Sequence, residues 1–358
     1  MSFVSLSDNQ LKTFPSTRYQ GSKRKILNPI YQVSKDYQFN TVLDMFSGSG
    51  IVSLLFRAMG KEVWANDFLK NCTGTARLFL GYENNQEPLE EFRKKLNYLL
   101  GEAPLEQPGL IEQHFKGIYF KDNENRQLDR FCQNINELDG IKKDLYCYAI
   151  SQACLKKRPY NLFHRANLNM RTKEIKRSFG NWVTWETDFI DHAYKCLVEL
   201  EKFSFQPVKN HNVTNFNSTD LHLFDKNTEV VYLDPPYLGS NGTSVDYADF
   251  YHFLEGFYDY DLFRSGDLSY PHKPIVNKPS AWLTTAGAER SISDLVDYFD
   301  DSVFILNYRS DSTLTHKKVA ELMTRPGRSV RVLTSGHYQY ALSKNKESEE
   351  LFIISEPK

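Results

Sequence analysis

Asp234 and Tyr237 stand either side of two prolines in the stretch VVYLDPPYLG, residues 230–239. Val230 to Leu233 are apolar or aromatic and partly β-branched, the signature of a short buried strand. Pro235 and Pro236 have no N–H to give a sheet, so the strand must stop there. The acid and the tyrosine are then held in a stiff turn at the carboxyl edge of a sheet, where open α/β folds bind ligands. An ordinary proline turn with Asp234 as a solvated cap has the same local appearance. Upstream, FSGSG (46–50) is a tight glycine turn between a strand-like and a helix-like run. It offers free backbone N–H groups and a helix N-terminus to a nucleotide or a carboxylate. Asp67, in ANDF, follows that turn by about 20 residues, the spacing of an acid that accepts from a ribose hydroxyl. Gly48 and Gly50 make only GxG, short of the dinucleotide fingerprint, and no GKS or GKT triphosphate loop is present. A nucleoside-bearing cofactor fits this pattern better than a purely structural turn.

The elements that must position these residues can be read in outline. Thr41–Phe46, 61–67 and Val230–Leu233 read as strands, and Ile51–Met59 as a helix with an apolar face. VTNFNSTDLHLF (213–224) reads as a short strand ending near Asp220, which would bring Asp220 to the same edge as Asp67 and Asp234. VDYADFYHFLEGFYDYD (245–261) reads as an aromatic-rich helix, and 301–315 as a strand ending at Asn307 and Tyr308. RSVRVLTSGHYQYALS reads as two strands turning at Ser335-Gly336, and LFIIS as a last strand. From 70 to about 205 the α/β rhythm gives way to long helical segments. The expectation is an α/β sheet with an antiparallel C-terminal hairpin, formed by 1–69 and 206–358, and an inserted, mainly helical region over 70–205.

That insert holds a charge concentration in a chain whose net charge is only −1. Residues 156–185 carry Lys156, Lys157, Arg158, Arg165, Arg171, Lys173, Lys176 and Arg177 against one acid, Glu174, with asparagines and aromatics interleaved. Arg and Lys neutralise phosphates, and Asn and Arg read base edges. Lys157, Arg158, Asn161, Arg165, Asn169, Arg171, Lys176 and Arg177 are the candidates for nucleic-acid contact; a solubilising face would mix Glu with Lys more evenly. The 358 residues, with 25 Phe and 21 Tyr, suffice for a large core and for stacking planar ligands. The 5 Cys lack metal-type spacing and suit free thiols in a reducing cytoplasm. No apolar run reaches the ~18 residues a membrane helix needs.

FSGSG, ANDF and DPPY, each at a strand end and in this order, resemble the adenine-specific DNA methyltransferases of the Dam-like D12 class. RYQGSK (18–23) is similar to the family's N-terminal cofactor motif, DMFSGSG (44–50) to its cofactor turn and DPPY to its catalytic motif. RPYNLFHRANLNMR and RSFGN look like segments found in a subset of these enzymes. The order, cofactor motifs first and catalytic motif last with target recognition between them, is the α-type order. The resemblance implies a Rossmann-like methyltransferase sheet, S-adenosylmethionine as cofactor, double-stranded DNA as substrate and, for a modification enzyme, a separately encoded restriction endonuclease. It assigns Asp44, Phe46, Ser47, Gly48 and Gly50 to the cofactor turn, Asp67 to the ribose and Asp220 to the cofactor adenine. Tyr19, Gly21 and Lys23 would approach the methionine carboxylate, with Arg18 or Arg24 as alternatives to Lys23. Asp234, Pro235, Pro236 and Tyr237 would be catalytic, with no metal. Adenine N6 is a poor nucleophile because its lone pair is delocalised; Asp234 and the Pro235 carbonyl could accept its two hydrogens while Tyr237 stacks on a flipped base. A methyltransferase for RNA adenine or a protein amide, and a silent nucleic-acid-binding module on the same fold, are the competing readings. An intact Asp234 and Tyr237 argue against the silent module.

Overall fold

The computed structural model describes the chain except residues 1–5, 106–107, 165–167, 169, 172–180, 208–209, 240–244, 277 and 338–348. Seven strands form one sheet: β1 (Thr41–Asp44), β2 (Glu62–Asn66), β3 (His211–Thr214), β4 (Val230–Leu233), β5 (Val303–Arg309), β6 (Arg328–His337) and β7 (Glu349–Pro357). Their order is β3-β2-β1-β4-β5-β7-β6. The first five run parallel, and β7 enters antiparallel between β5 and β6. All four residues of β4 are buried, as the continuous apolar run of a central parallel strand requires. The chain leaves β1 toward β2 and β3 on one side, then returns to place β4 on the other. The carboxyl edge between β1 and β4 is therefore the topological switch point, where such sheets form a crevice.

Helix α1 (Ile51–Ala58) follows the glycine turn and is buried along its whole length. Helix α2 (Lys70–Gly81) packs on α1 and on the β2–β3 side of the sheet, although it opens the segment read from sequence as an insert. Beyond it come the helix Asp122–Asn134, α3 (Gly140–Lys156), α4 (Phe189–Glu201) and several shorter helices. One apolar cluster runs from Val42, Val63 and Tyr232 of the sheet through Leu78 and Phe79 to Ile150 and Leu197, so the helical region shares the sheet's core. A second cluster, with Leu43, Val231 and Leu233, lies under α6 (Thr285–Tyr298) on the opposite face. Alternate strand residues feed the two faces. Among the described residues no helix is long and apolar enough to cross a membrane.

Helix α5 (Tyr247–Glu255) brings the aromatic stretch over the crevice. Asp246 caps it, accepting from Ala248 N and Asp249 N. At its other end the buried Glu255 carboxylate accepts from Lys70 N at 2.9 Å and Asn71 N at 2.8 Å. A carboxylate at a helix N-terminus meets orphan donors and the positive end of the dipole, which locks α5 to α2.

Two expectations fail here. Ser335-Gly336 does not turn a hairpin: both residues lie within β6, where the register shifts between Thr334 and His337, so a bulge takes up the turn-prone pair. The hairpin partner of β6 is β7. The strand expected to end near Asp220 ends at Thr214, six residues earlier.

Candidate active site at the switch point

The turn after β1 is built by glycine. Gly48 (φ +46°) and Gly50 (φ +70°) both adopt left-handed backbone, which an L side chain resists. A Cβ on Gly48 would also meet the Tyr19 ring at 3.1 Å. Gly48 N donates to Asp67 Oδ2 at 2.9 Å, and Leu69 N donates to Asp67 Oδ1 at 2.9 Å. Asp67 thus ties the end of β2 to the glycine turn, and each oxygen keeps a lone pair for a further donor. Ser47 Oγ is buried with no hydrogen-bond partner among the described residues. Burial pushes the Asp67 carboxyl up to about 6 against those two backbone donors.

Asp44 sits beneath the turn, accepting from Ser53 Oγ at 2.6 Å. Burial pushes its carboxyl up to about 7 from an ordinary 3.8, with Ser53 opposing and Asp234 adding to the rise. A carboxyl whose pKa is raised on folding favours the folded state below the unfolded value and loses that contribution as pH climbs through the folded value. Asp44→Asn lacks this dependence. Its melting temperature relative to the wild type should therefore rise between pH 5 and pH 8, and a difference that stays constant would show that Asp44 does not titrate there.

Two adjoining hollows lie on this edge and share Phe46, Phe68, Pro236 and Tyr247 as walls. The larger, of about 420 Å³, is bounded by Met45, Asn66, Lys278 and the segment Asn215–Ser218. The smaller, of about 50 Å³, is bounded by Tyr19, Gly21, Lys23, Ser47, Gly48, Asp67 and Asp234. Tyr19 stacks on Tyr251 (4.5 Å between centroids) and Tyr247 (5.6 Å) of α5, and Gly21 is again left-handed (φ +82°) beneath the Tyr247 hydroxyl.

Asp234 is half-buried at the mouth of β4. Its Oδ1 accepts from Lys23 Nζ at 2.8 Å and lies 2.6 Å from the Tyr237 hydroxyl. That hydroxyl is also 2.9 Å from Lys23 Nζ and 2.8 Å from Asn307 Oδ1. Both contacts fall on one oxygen, so the carboxylate is braced on a single side. Lys23, only 4% exposed, remains charged: burial alone would lower its pKa, but Asp234 and Glu350 raise it above the ordinary value. Of the sequence-derived residues, the structure gathers Tyr19, Gly21, Lys23, Asp44, Phe46, Ser47, Gly48, Gly50, Asp67 and Asp234–Tyr237 at one edge. Lys23 stands against the DPPY turn as well as in the RYQGSK segment.

Asp220 is a correction. With β3 ending at Thr214, Asp220 lies exposed at the start of a short 3-10 turn, Leu221–Leu223, and Asn215–Ser218 line the hollow instead. Lys157, Arg158 and Arg171 are a second correction. All three are 2–3% exposed. Lys157 Nζ and Arg171 Nη2 both contact Glu124 Oε1, at 2.9 and 2.8 Å. Arg158 donates to the carbonyls of Leu162 and Leu168 and stacks on Tyr119. These three cations hold the helical region together and are not presented to a phosphate. Asn161 is half-buried near Arg18, and Arg165, Asn169, Lys176 and Arg177 lie outside the described residues. The residues that sequence reasoning missed are Tyr247, Phe68 and Lys278 around the hollows and Asn307 and Glu350 behind Asp234. Only Asn307 had a signal, its place at a strand end.

The model of the D12 class N6 adenine-specific DNA methyltransferases matches residues 19–273, from the RYQGSK segment to beyond the DPPY turn. The chain is also similar to the Type II methyltransferase M2.HphI of Haemophilus parahaemolyticus, with 26% identity covering 95% of this chain and 98% of that protein. With the DPPY turn, the glycine turn, Asp67 and Asp234 assembled at one sheet edge, the chain belongs to the D12 class of N6 adenine-specific DNA methyltransferases.

Proposed function

We propose that the protein transfers the methyl group of S-adenosylmethionine to N6 of an adenine rotated out of double-stranded DNA, as the modification enzyme beside a separate restriction endonuclease. The observation that carries this reading is the meeting of Asp234 and Pro236 with the double hollow at the switch point. The residues present fit the cofactor: a glycine turn with left-handed backbone, the unpartnered Ser47 Oγ, and Asp67 with acceptor capacity to spare. Bound S-adenosylmethionine supplies an electrophilic methyl on a sulfonium. Tyr19, Gly21, Phe46, Ser47, Gly48 and Gly50 would hold its amino-acid end. Asp67 would accept from the ribose, and the larger hollow, lined by Phe68 and Asn215–Ser218 and not by Asp220, would take the adenine.

Asp234 and the Pro235 carbonyl are the two acceptors for the amino hydrogens of the target base. Together they favour the state in which that nitrogen gains positive charge. Tyr237 would hold the extruded ring, since a stacked base cannot present its amine. The M2.HphI name belongs to Type II modification and supports the restriction–modification setting proposed for this chain.

Asp67→Ala is expected to weaken S-adenosylmethionine binding by about 1–3 kcal/mol, the range for a lost charged hydrogen bond, with the glycine turn also losing its tie through Gly48 N. Calorimetry showing wild-type affinity in a folded variant would remove Asp67 from the cofactor site. The assignment as a whole is tested by tritiated methyl transfer to duplex DNA, single-stranded DNA and RNA. Preference for duplex DNA is expected; preference for RNA, or no transfer to any of the three, would overturn it.

A further inference from the structure

We propose that Glu350 is a positioning residue for methyl transfer, a second buried anion that shares Lys23 with Asp234 and so keeps the Asp234 charge available to the target amine. This rests on the reading of Asp234 as an acceptor for that amine. Glu350 lies on β7, opposite Arg309 of β5 in the antiparallel register. Its side chain is fully buried, and the next four residues of the strand, Leu351 to Ile354, are all apolar and buried. A carboxylate in such a strand is poorly explained by stability, because an apolar residue of similar volume serves a buried position as well or better.

What Glu350 faces gives it a use. Its Oε1 is 4.0 Å from Lys23 Nζ, on a lysine that already contacts Asp234 at 2.8 Å. Asn307, close enough to hold the Glu350 pKa down, also stands 2.8 Å from the Tyr237 hydroxyl that braces Asp234. The neighbouring cation, Arg309, is paired with Asp311 at 2.6 Å. Burial pushes the Glu350 carboxyl up to about 7, with Lys23 and Arg309 opposing and Asp234 adding to the rise, as expected of two anions near a shared lysine.

The charge balance states the consequence. Lys23 and Asp234 alone form a neutral pair, which does little for a nitrogen that becomes positive as it is methylated. With Glu350 ionised and Arg309 answered by Asp311, the lysine is answered twice and the cluster keeps a net negative charge facing the acceptor. Glu350 touches neither cofactor nor base and acts only through Lys23.

The test is a double-mutant cycle read by steady-state methyl transfer, with Glu350→Gln, Lys23→Met and both together. Glu350→Gln keeps the shape and removes the charge. It should lower kcat about 10–100-fold, with KM for S-adenosylmethionine and for DNA within about threefold of wild type. In the Lys23→Met background the same change should cost less than about threefold, because its intermediary is gone. Glu350→Asp should recover part of the loss. An equal loss in both backgrounds, or a loss confined to KM, would overturn the proposal. If Glu350→Gln does not fold, Glu350→Asp is carried through the same two backgrounds by the same criterion. Asp234→Ala is assayed alongside: an active Asp234→Ala enzyme refutes the acceptor reading itself, whereas an inactive one with an uncoupled Glu350 refutes only the role of Glu350.

Discussion

Replacing Asp234 with alanine is expected to slow methyl transfer by about 10²–10³-fold or more while leaving the protein folded and able to bind its cofactor. The carboxylate sits in a turn at the sheet edge with 17% of its side chain exposed, so no core packing is lost. The lysine it leaves behind still has Glu350 nearby. Asp234→Asn keeps the shape and one acceptor oxygen but not the charge, so its activity should fall less than that of the alanine variant. Tyr237→Ala should cost less than Asp234→Ala, and less on an unpaired adenine than on a paired one, because part of its work is holding the extruded base. Single-turnover transfer of labelled methyl measures all of these. An Asp234→Ala enzyme with near wild-type turnover would contradict the mechanism.

The second large effect concerns stability. Glu124→Ala should destabilise the fold by about 3–5 kcal/mol, because it strands two buried cations, Lys157 and Arg171, that share Glu124 Oε1. Burial alone would raise the Glu124 pKa, but Arg171 and Lys157 hold it below the ordinary range, so the pair is ionised at neutral pH. Urea denaturation would show the midpoint falling; a loss under about 1 kcal/mol would mean that the cations find water. Arg171→Ala should likewise lower stability and leave the salt dependence of DNA affinity unchanged, since a residue that releases no counterion contributes nothing to that slope.

These two expectations mark what the sequence could and could not disclose. The DPPY turn at the sheet edge was legible because β4 is apolar on every residue and proline ends it, a purely local signal. The glycine turn and Asp67 were legible because both sit at ends of neighbouring parallel strands, and strand-to-strand spacing in such a sheet is regular. Lys157, Arg158 and Arg171 misled because composition counts charges without locating them. Lys157 and Arg171 meet an acid from another helix, distant in sequence, and only the packed structure shows that they are spent inside. Asp220 misled through a strand end misplaced by six residues, which exchanged a run of asparagines and serine for an aspartate. Glu350 gave no signal at all. In EELFIIS it reads as a solvated acid ahead of a strand, and its burial follows from β7 inserting between β5 and β6, a long-range pairing with no local mark.

The central claim, methylation of adenine N6 in DNA, is most directly tested by the product. Duplex DNA incubated with the protein and S-adenosylmethionine carrying a heavy-isotope methyl should be digested to nucleosides and weighed by mass spectrometry. The account predicts the label in N6-methyladenine, and its absence there when Asp234→Ala replaces the wild type. Label in N4-methylcytosine or 5-methylcytosine in place of N6-methyladenine would contradict it.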